Sequence, residues 1–125
     1  MSAFTDVNLE ALRAARTVVI ETSAAPDTER HRAVIWIVVD DDDRVLVRSV
    51  RGRRGRWYRE LVANPAGAVE AGGARLPIVA EVATDDERVR SCSDALSAKY
   101  RSAGGSLAAM LLPEVLDATL ELRPG

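Results

Sequence analysis

Five arginines fall between Arg48 and Arg56, in the run RSVRGRRGR, and Arg59 follows one turn later. A guanidinium binds phosphate or carboxylate oxygens through a planar fork. Gly52 and Gly55, set among these arginines, let the backbone approach a ligand closely. Consecutive amides of a Gly-rich turn can also cradle an anion. Trp57 and Tyr58 come next and offer a flat wall for an aromatic ring. Arg54, with its neighbours in the run, and this aromatic pair therefore suit a ligand carrying both a phosphate and a ring system. That means a nucleotide-like cofactor or another anionic small molecule. Two plainer readings compete. The arginines can be solvated and paired with Glu60, Glu70 or the aspartates at 40–43, since an arginine run alone is weak evidence for a site. RGRRGR also resembles segments that bind single strands of nucleic acid, but a net charge of −2 speaks against nucleic acid as a partner.

Other reactive residue types are sparse. His31 is the sole histidine and has no Ser, Cys or carboxylate at motif spacing, so an exposed or structural role is expected. Cys92 lies on the apolar stripe of a helix, where thiols are inert. Asp40 to Asp43 lack the alternating spacing and closing Glu of a calcium loop. They are expected to form a solvated turn, and no metal site is expected. No Walker loop, nucleophile elbow or paired-cysteine zinc motif is present. No catalytic side chain can be named, which suits a site where a cofactor carries the hydride.

The elements that position these residues follow from periodicity. Thr5 can cap a short helix ending near Ala15, with Phe4 and Leu9 placed for a hydrophobic staple. Residues 17–22 form a strand and 23–32 a polar loop. AVIWIVV, residues 33–39, is apolar throughout and of strand length, so it is expected to be the central strand, covered on both faces. Residues 44–50 return as the next strand. On it Arg48 shares a face with Leu46 and Val50, where a charge costs energy unless it is paired or sits at a cavity rim. A helix over 56–63 puts Trp57 and Leu61 on one face. Residues 68–83 read as a hairpin turning at Gly72-Gly73, with Leu76, Ile78, Ala80 and Val82 inward and Pro77 marking an edge or bulge. A helix runs from about Asp85 to Arg101, with Val89, Cys92, Leu96 and Tyr100 along one face. Residues 107–112 are ambiguous, and 115–123 alternate as the last strand.

Six strands that mostly follow one another directly point to an α+β, mainly β chain. The expected form is an antiparallel sheet or barrel with two or three peripheral helices. Its open edges could be covered in a dimer. The 125 residues are expected to make one domain, 1–125. One cysteine excludes an internal disulfide framework. No apolar run approaches the roughly 20 residues of a spanning helix and no signal peptide is visible, so no membrane association and a cytoplasmic location are expected.

The stretch 47–73 resembles a family of small bacterial proteins of unknown function. More distantly it is similar to the split-barrel flavoproteins, especially the deazaflavin-dependent nitroreductase-like group. The match rests on Ser49-Val50-Arg51-Gly52, Trp57-Tyr58, Leu61 and Ala63-Asn64-Pro65. The nearer family also shares Ile35-Trp36, Lys99-Tyr100 and Ala118-Thr119-Leu120. The resemblance implies a six-stranded antiparallel split β-barrel working as a homodimer, with FMN or a deazaflavin coenzyme in a groove. Ser49, Arg51 and Gly52 then fall at phosphate-contacting positions, and Trp57 flanks the groove. Arg48 and Arg32 join them from their strand positions. The nitroreductase-like group carries a Gly-rich basic segment before its second strand. Here that place is AAPDTERHR, without glycine.

Overall fold

The computed structural model describes residues 4–125. Thr5 caps α1 (Asp6–Ala14) by accepting the Asn8 amide on its hydroxyl oxygen, and Phe4 packs on the cluster that holds Leu9. The strands are β1 (Val18–Ser23), β2 (Arg30–Ile35), β3 (Val38–Val39), β4 (Val45–Arg48), β5 (Ala66–Ala71), β6 (Ala74–Val82) and β7 (Thr119–Pro124). Helices α2 (Arg56–Ala63), α3 (Asp86–Lys99) and α4 (Gly105–Met110) complete the fold, with short 3-10 turns at Gly52–Arg54 and Pro113–Ala118.

The seven strands form one sheet in the order β2-β1-β5-β6-β7-β4-β3, and every pairing is antiparallel. β2 and β3 are its two edges, yet both belong to one extended run. Ile35 and Val38 can be no more than about 11 Å apart along the chain. A seven-stranded sheet whose edges lie that close must curl into a barrel. The apolar run 33–39 is thus the barrel's seam. It is not a central strand covered on both faces: β2 pairs with β1, β3 pairs with β4, and Val34 is 70% exposed. The expected six strands become seven because this run divides in two.

The seam is held from outside by α3. Trp36 stacks on Tyr100 with ring centroids 4.0 Å apart. The Tyr100 hydroxyl accepts the Ile37 amide at 3.2 Å and donates to the Arg16 carbonyl at 2.8 Å. Lys99 donates to the carbonyls of Ile37, at 2.7 Å, and Leu12, at 3.1 Å. These side chains satisfy backbone groups that lose ladder partners where the run changes neighbours. Burial, then the charge of Arg16, pushes the Lys99 ammonium down to about 8.

The barrel interior holds Leu12, Ile20, Val47, Leu61, Ile78 and Leu120, among others. A second core lies between β3, β4 and the C-terminal helices: Val38, Leu46, Cys92, Leu96, Tyr100 and Met110. Burial pushes the Cys92 thiol up to about 11, in keeping with an inert sulfur. Among the described residues, no helix is long and apolar enough to cross a membrane.

Several expectations need correction. Arg30, His31 and Arg32 belong to β2 and not to a loop, because β1 supplies them with ladder partners. Asp40 is not a solvated turn residue. It is buried and accepts the amides of Asp42 and Arg44, the Arg44 side chain and the Ser91 hydroxyl. Pro77 sits in a strand paired on both sides, but only from Ile78 onward does β7 face it, so the missing N–H disrupts no ladder bond there. Residues 107–110 are helical. The last strand begins at Thr119, since Pro113 opens a 3-10 turn through Ala118. The Gly72-Gly73 turn is as expected, with φ of 58° and 81°.

Candidate functional site

β4 carries the chain to the site and ends at Arg48. The Ser49 amide still donates to the Ala118 carbonyl, and the chain then turns sharply through Gly52. Gly52 has φ +65° and packs on Glu114 and Val115. Its amide donates to the Ser49 carbonyl at 2.9 Å, and the Gly55 amide donates to the Gly52 carbonyl at 3.2 Å. Gly55 opens α2 with no side-chain cap. A Cβ there would lie 2.4 Å from the Ser49 hydroxyl oxygen, so any larger residue would force that hydroxyl to move.

Two clefts meet at this corner and share Val50 and Trp57 as their common wall. The first, about 480 Å³, is mainly apolar, with Val34, Ile35, Trp36, Ala109 and Met110, and Arg48 at its edge. The second, about 370 Å³, is lined by basic and polar residues, Thr22, His31, Arg32, Ser49, Arg51 and Arg56, together with Ala33 and Gly55.

The candidate residues divide by position. Ser49 and Arg51 line the basic cleft, and Trp57 lines both. Arg32 borders the basic cleft, but its guanidinium is turned to the outer face of β2 and pairs with both Glu70 oxygens, 3.1 Å for the longer contact. Gly52 and Arg54 lie on the turn and line neither cleft. Tyr58 does not supply a flat wall. It is buried in the barrel core, with its hydroxyl 3.4 Å from the Asp117 carbonyl, and burial raises its pKa.

Arg48 is fully buried and has no carboxylate partner among the described residues. Its guanidinium donates to the Thr119 hydroxyl, the Ser93 hydroxyl and the carbonyls of Met110 and Val89, at 2.8 to 3.1 Å. It ties β4 to α3, α4 and β7, and burial lowers its pKa. The charge itself is uncompensated, beside the apolar cleft.

The remaining arginines of the turn are exposed. Arg53 reaches Asp117 at 3.6 Å. Arg51, Arg54, Arg56 and Arg59 form no ion pair with any described residue, and none of them reaches Glu60, Glu70 or the aspartates at 40–43.

One group at the site escaped the sequence reading. His31 lies on the inner face of β2, opposite Thr22 of β1. Its Nδ1 is 2.8 Å from a Glu60 oxygen, and the Thr22 hydroxyl donates to the other Glu60 oxygen at 2.7 Å. The partner stands 29 residues away, outside any motif spacing. The available signal was Glu60 itself, which falls three residues after Trp57 on the buried stripe of α2. A carboxylate there requires a donor. Among the described residues no three of His, Cys, Asp and Glu gather as a metal site.

Comparison with known proteins places this architecture. A Mycobacterium tuberculosis protein with the provisional name F420H(2)-dependent quinone reductase is 30% identical over 76 residues, or 59% of this chain. The match spans 64% of that relative's length. The heme storage protein HutZ of Vibrio cholerae aligns with 96% of this chain and 89% of its own, at 15% identity and a TM-score of 0.64. An F420-H2 dependent reductase, FDR-A, aligns with 86% of this chain and 93% of its own, at 16% identity and a TM-score of 0.61. These two share the fold. Residues 8–122 match the model of DUF2255, described as an uncharacterized protein conserved in bacteria, and the chain belongs to that family.

Proposed function

We propose that this chain is a redox protein of the split-barrel type that binds a flavin or deazaflavin across the two clefts. The phosphate lies in the basic cleft, against Ser49, Arg51 and Arg56. The ring system lies in the apolar cleft, against Trp57 and Trp36. Such a cofactor carries a hydride when bound, while the protein supplies binding, orientation and exclusion of water. Arg48, a buried cation beside the ring cleft, favours a ligand whose ring carries negative charge. The names of the quinone reductase relative and of FDR-A favour the deazaflavin over FMN.

The observation that carries this reading is the pairing pattern. Arg51 and Arg56 stand unpaired in a cleft wall next to an apolar cavity. A merely solvated basic loop does not require an apolar cavity at its side. Val34 and Val50, exposed at the cavity's rim, also suit cover by a second copy, so the working form is a homodimer.

Fluorescence titration of the purified protein with FMN and with F420 is the test, with native mass spectrometry for oligomeric state. Saturable binding of either, weakened by Arg51→Ala, is expected. Uptake of neither overturns the proposal.

A second reading, a non-catalytic binder of anionic small molecules on the same fold, is favoured by the opening of β2. Its arginines Arg30 and Arg32 are committed to Glu21 and Glu70 and point away from the clefts. On this reading Arg32, expected at the site from its strand position, is held by Glu70 and the phosphate grip rests on Ser49, Arg51 and Arg56. Binding without hydride transfer to any quinone would decide for it.

A further inference from the structure

We infer that His31 is a ligand-binding residue of the basic cleft, its Nε2 edge meeting the anion and its Nδ1 edge held by Glu60. This rests on the anion-binding reading above and adds a residue and a pH dependence to it. The ring lies in the wall that also holds Ser49, Arg51 and Arg56. It is fixed by a short chain of buried polar groups: Thr22 hydroxyl to Glu60, and Glu60 to Nδ1. The Glu60 side chain is only 10% exposed, so its two oxygens depend on these donors, whereas the His31 ring is 26% exposed and keeps one edge in the open.

A carboxylate on Nδ1 decides which nitrogen carries the proton of the neutral ring. Nε2 is then a bare lone pair, which repels an anionic oxygen. Once protonated, the same atom becomes a charged donor. The Glu60 carboxylate stands behind the ring and offsets that charge without occupying Nε2. On the open edge Glu29 lies 3.8 Å from Nε2, with its own side chain 85% exposed. Such a contact is screened by water and easily displaced.

The charged groups around the ring are few. α2 contributes Glu60 and Arg56, the turn after β4 contributes Arg51, and the segment before β2 contributes Glu29. Arg30 and Arg32, the neighbours of His31 on β2, point to the opposite face and are paired there. β1 presents only the Thr22 hydroxyl. Arg51, Arg56 and the His31 ring therefore line one cleft, and neither arginine has an ion-pair partner among the described residues.

His31 is the only histidine in the chain, so imidazole signals from untagged, nitrogen-15-labelled protein report on it alone. FMN and inorganic pyrophosphate are the probes, titrated between about pH 5 and 8. Ligand-free protein should show the Nδ1–H tautomer at the upper end. Adding either probe should move Nε2 to its protonated position. Probe affinity should fall more steeply with pH in wild type than in His31→Gln, by about tenfold across the range. The second ionisation of phosphate is common to both proteins and cancels in that comparison. Thr22→Val, which loosens the ring's support while keeping the imidazole, should give an intermediate slope. Equal slopes in wild type and His31→Gln, with binding intact and both proteins folded, overturn the assignment of His31 alone. Failure of wild type to bind either probe at any pH overturns the anion site with it.

Discussion

Two basic regions of this protein are built in opposite ways. On the outer face of β1, β2, β5 and β6, Arg30, Arg32 and Arg75 alternate with Glu21 and Glu70. Glu21 accepts from Arg30 and Arg75, each at 2.7 Å, and Glu70 takes both prongs of Arg32. In the turn after β4 and the start of α2, Arg51, Arg53, Arg54, Arg56 and Arg59 meet, among the described residues, one carboxylate, Asp117, at 3.6 Å. The ladder explains the first pattern. Antiparallel register sets Arg32 opposite Glu21 and Arg75 opposite Glu70 on one face, so unlike charges lie within reach and pair diagonally across neighbouring strands. A turn has no partner strand. Its charges stay open unless a helix or another loop brings carboxylates to them, and among the described residues only Asp117 comes near, to Arg53. Positive charge becomes a candidate binding surface where the fold withholds its counter-charges.

Arg48, at the root of the turn, offers the hardest test of that contrast, because it is a cation without a counter-ion that the fold nonetheless uses. Arg48→Met should lower stability by about 2–4 kcal/mol, since buried oxygens of Thr119, Ser93, Val89 and Met110 lose a donor. Urea unfolding checks this. A variant as stable as wild type would mean that the buried guanidinium serves a ligand and not the scaffold.

The exposed members of the turn should behave in the reverse way. Arg51→Ala and Arg56→Ala should each weaken binding of a phosphate-bearing flavin or deazaflavin by about tenfold, or about 1.4 kcal/mol, and leave the urea midpoint unchanged. Wild-type binding should also weaken as salt is raised. Loss of fold in either variant would make the turn structural and dissolve the contrast.

How far these regions could be read in advance follows the range of the interactions. The helix cap at Thr5, the Gly-Gly hairpin and the apolar stripe of α3 depend on residues within one turn of one another, and they stand as the spacing predicts. The Gly-Arg turn leading into α2 was equally visible. The division of residues 33–39 between two sheet edges was not, because a continuous apolar run looks alike at the centre of a sheet and at a barrel seam. The same holds for Arg32, whose partner is 38 residues away, and for His31, whose partner is 29 away. Residues noted through the family resemblance acquire physical reasons here. Lys99 and Tyr100 satisfy the seam's backbone, Trp36 stacks on Tyr100, and Thr119 accepts from Arg48.

The smallest expected effect belongs to the paired face, and it carries a definite sign. Hydrogen bonds from Arg75 and Arg30 lower the Glu21 pKa below 4.5, and the bond from Arg32 does the same for Glu70. A carboxylate held below its unfolded value contributes stability above that value. The contribution disappears as pH falls through the folded pKa, when the folded state must finally take up the proton. The paired face therefore weakens only on acidification below about pH 4.5, while the open turn contributes nothing to that limb. Glu21→Gln should flatten the acid end of the stability profile slightly, and Glu70→Gln less, because its pair is half exposed and screened by water. Melting curves across the acid range measure both. Glu70→Gln also releases Arg32, which borders the basic cleft. Unchanged anion affinity at neutral pH is expected if the strand keeps that guanidinium on the outer face. Tighter binding would show that Arg32 can swing into the cleft, and that Glu70 is what separates the two regions.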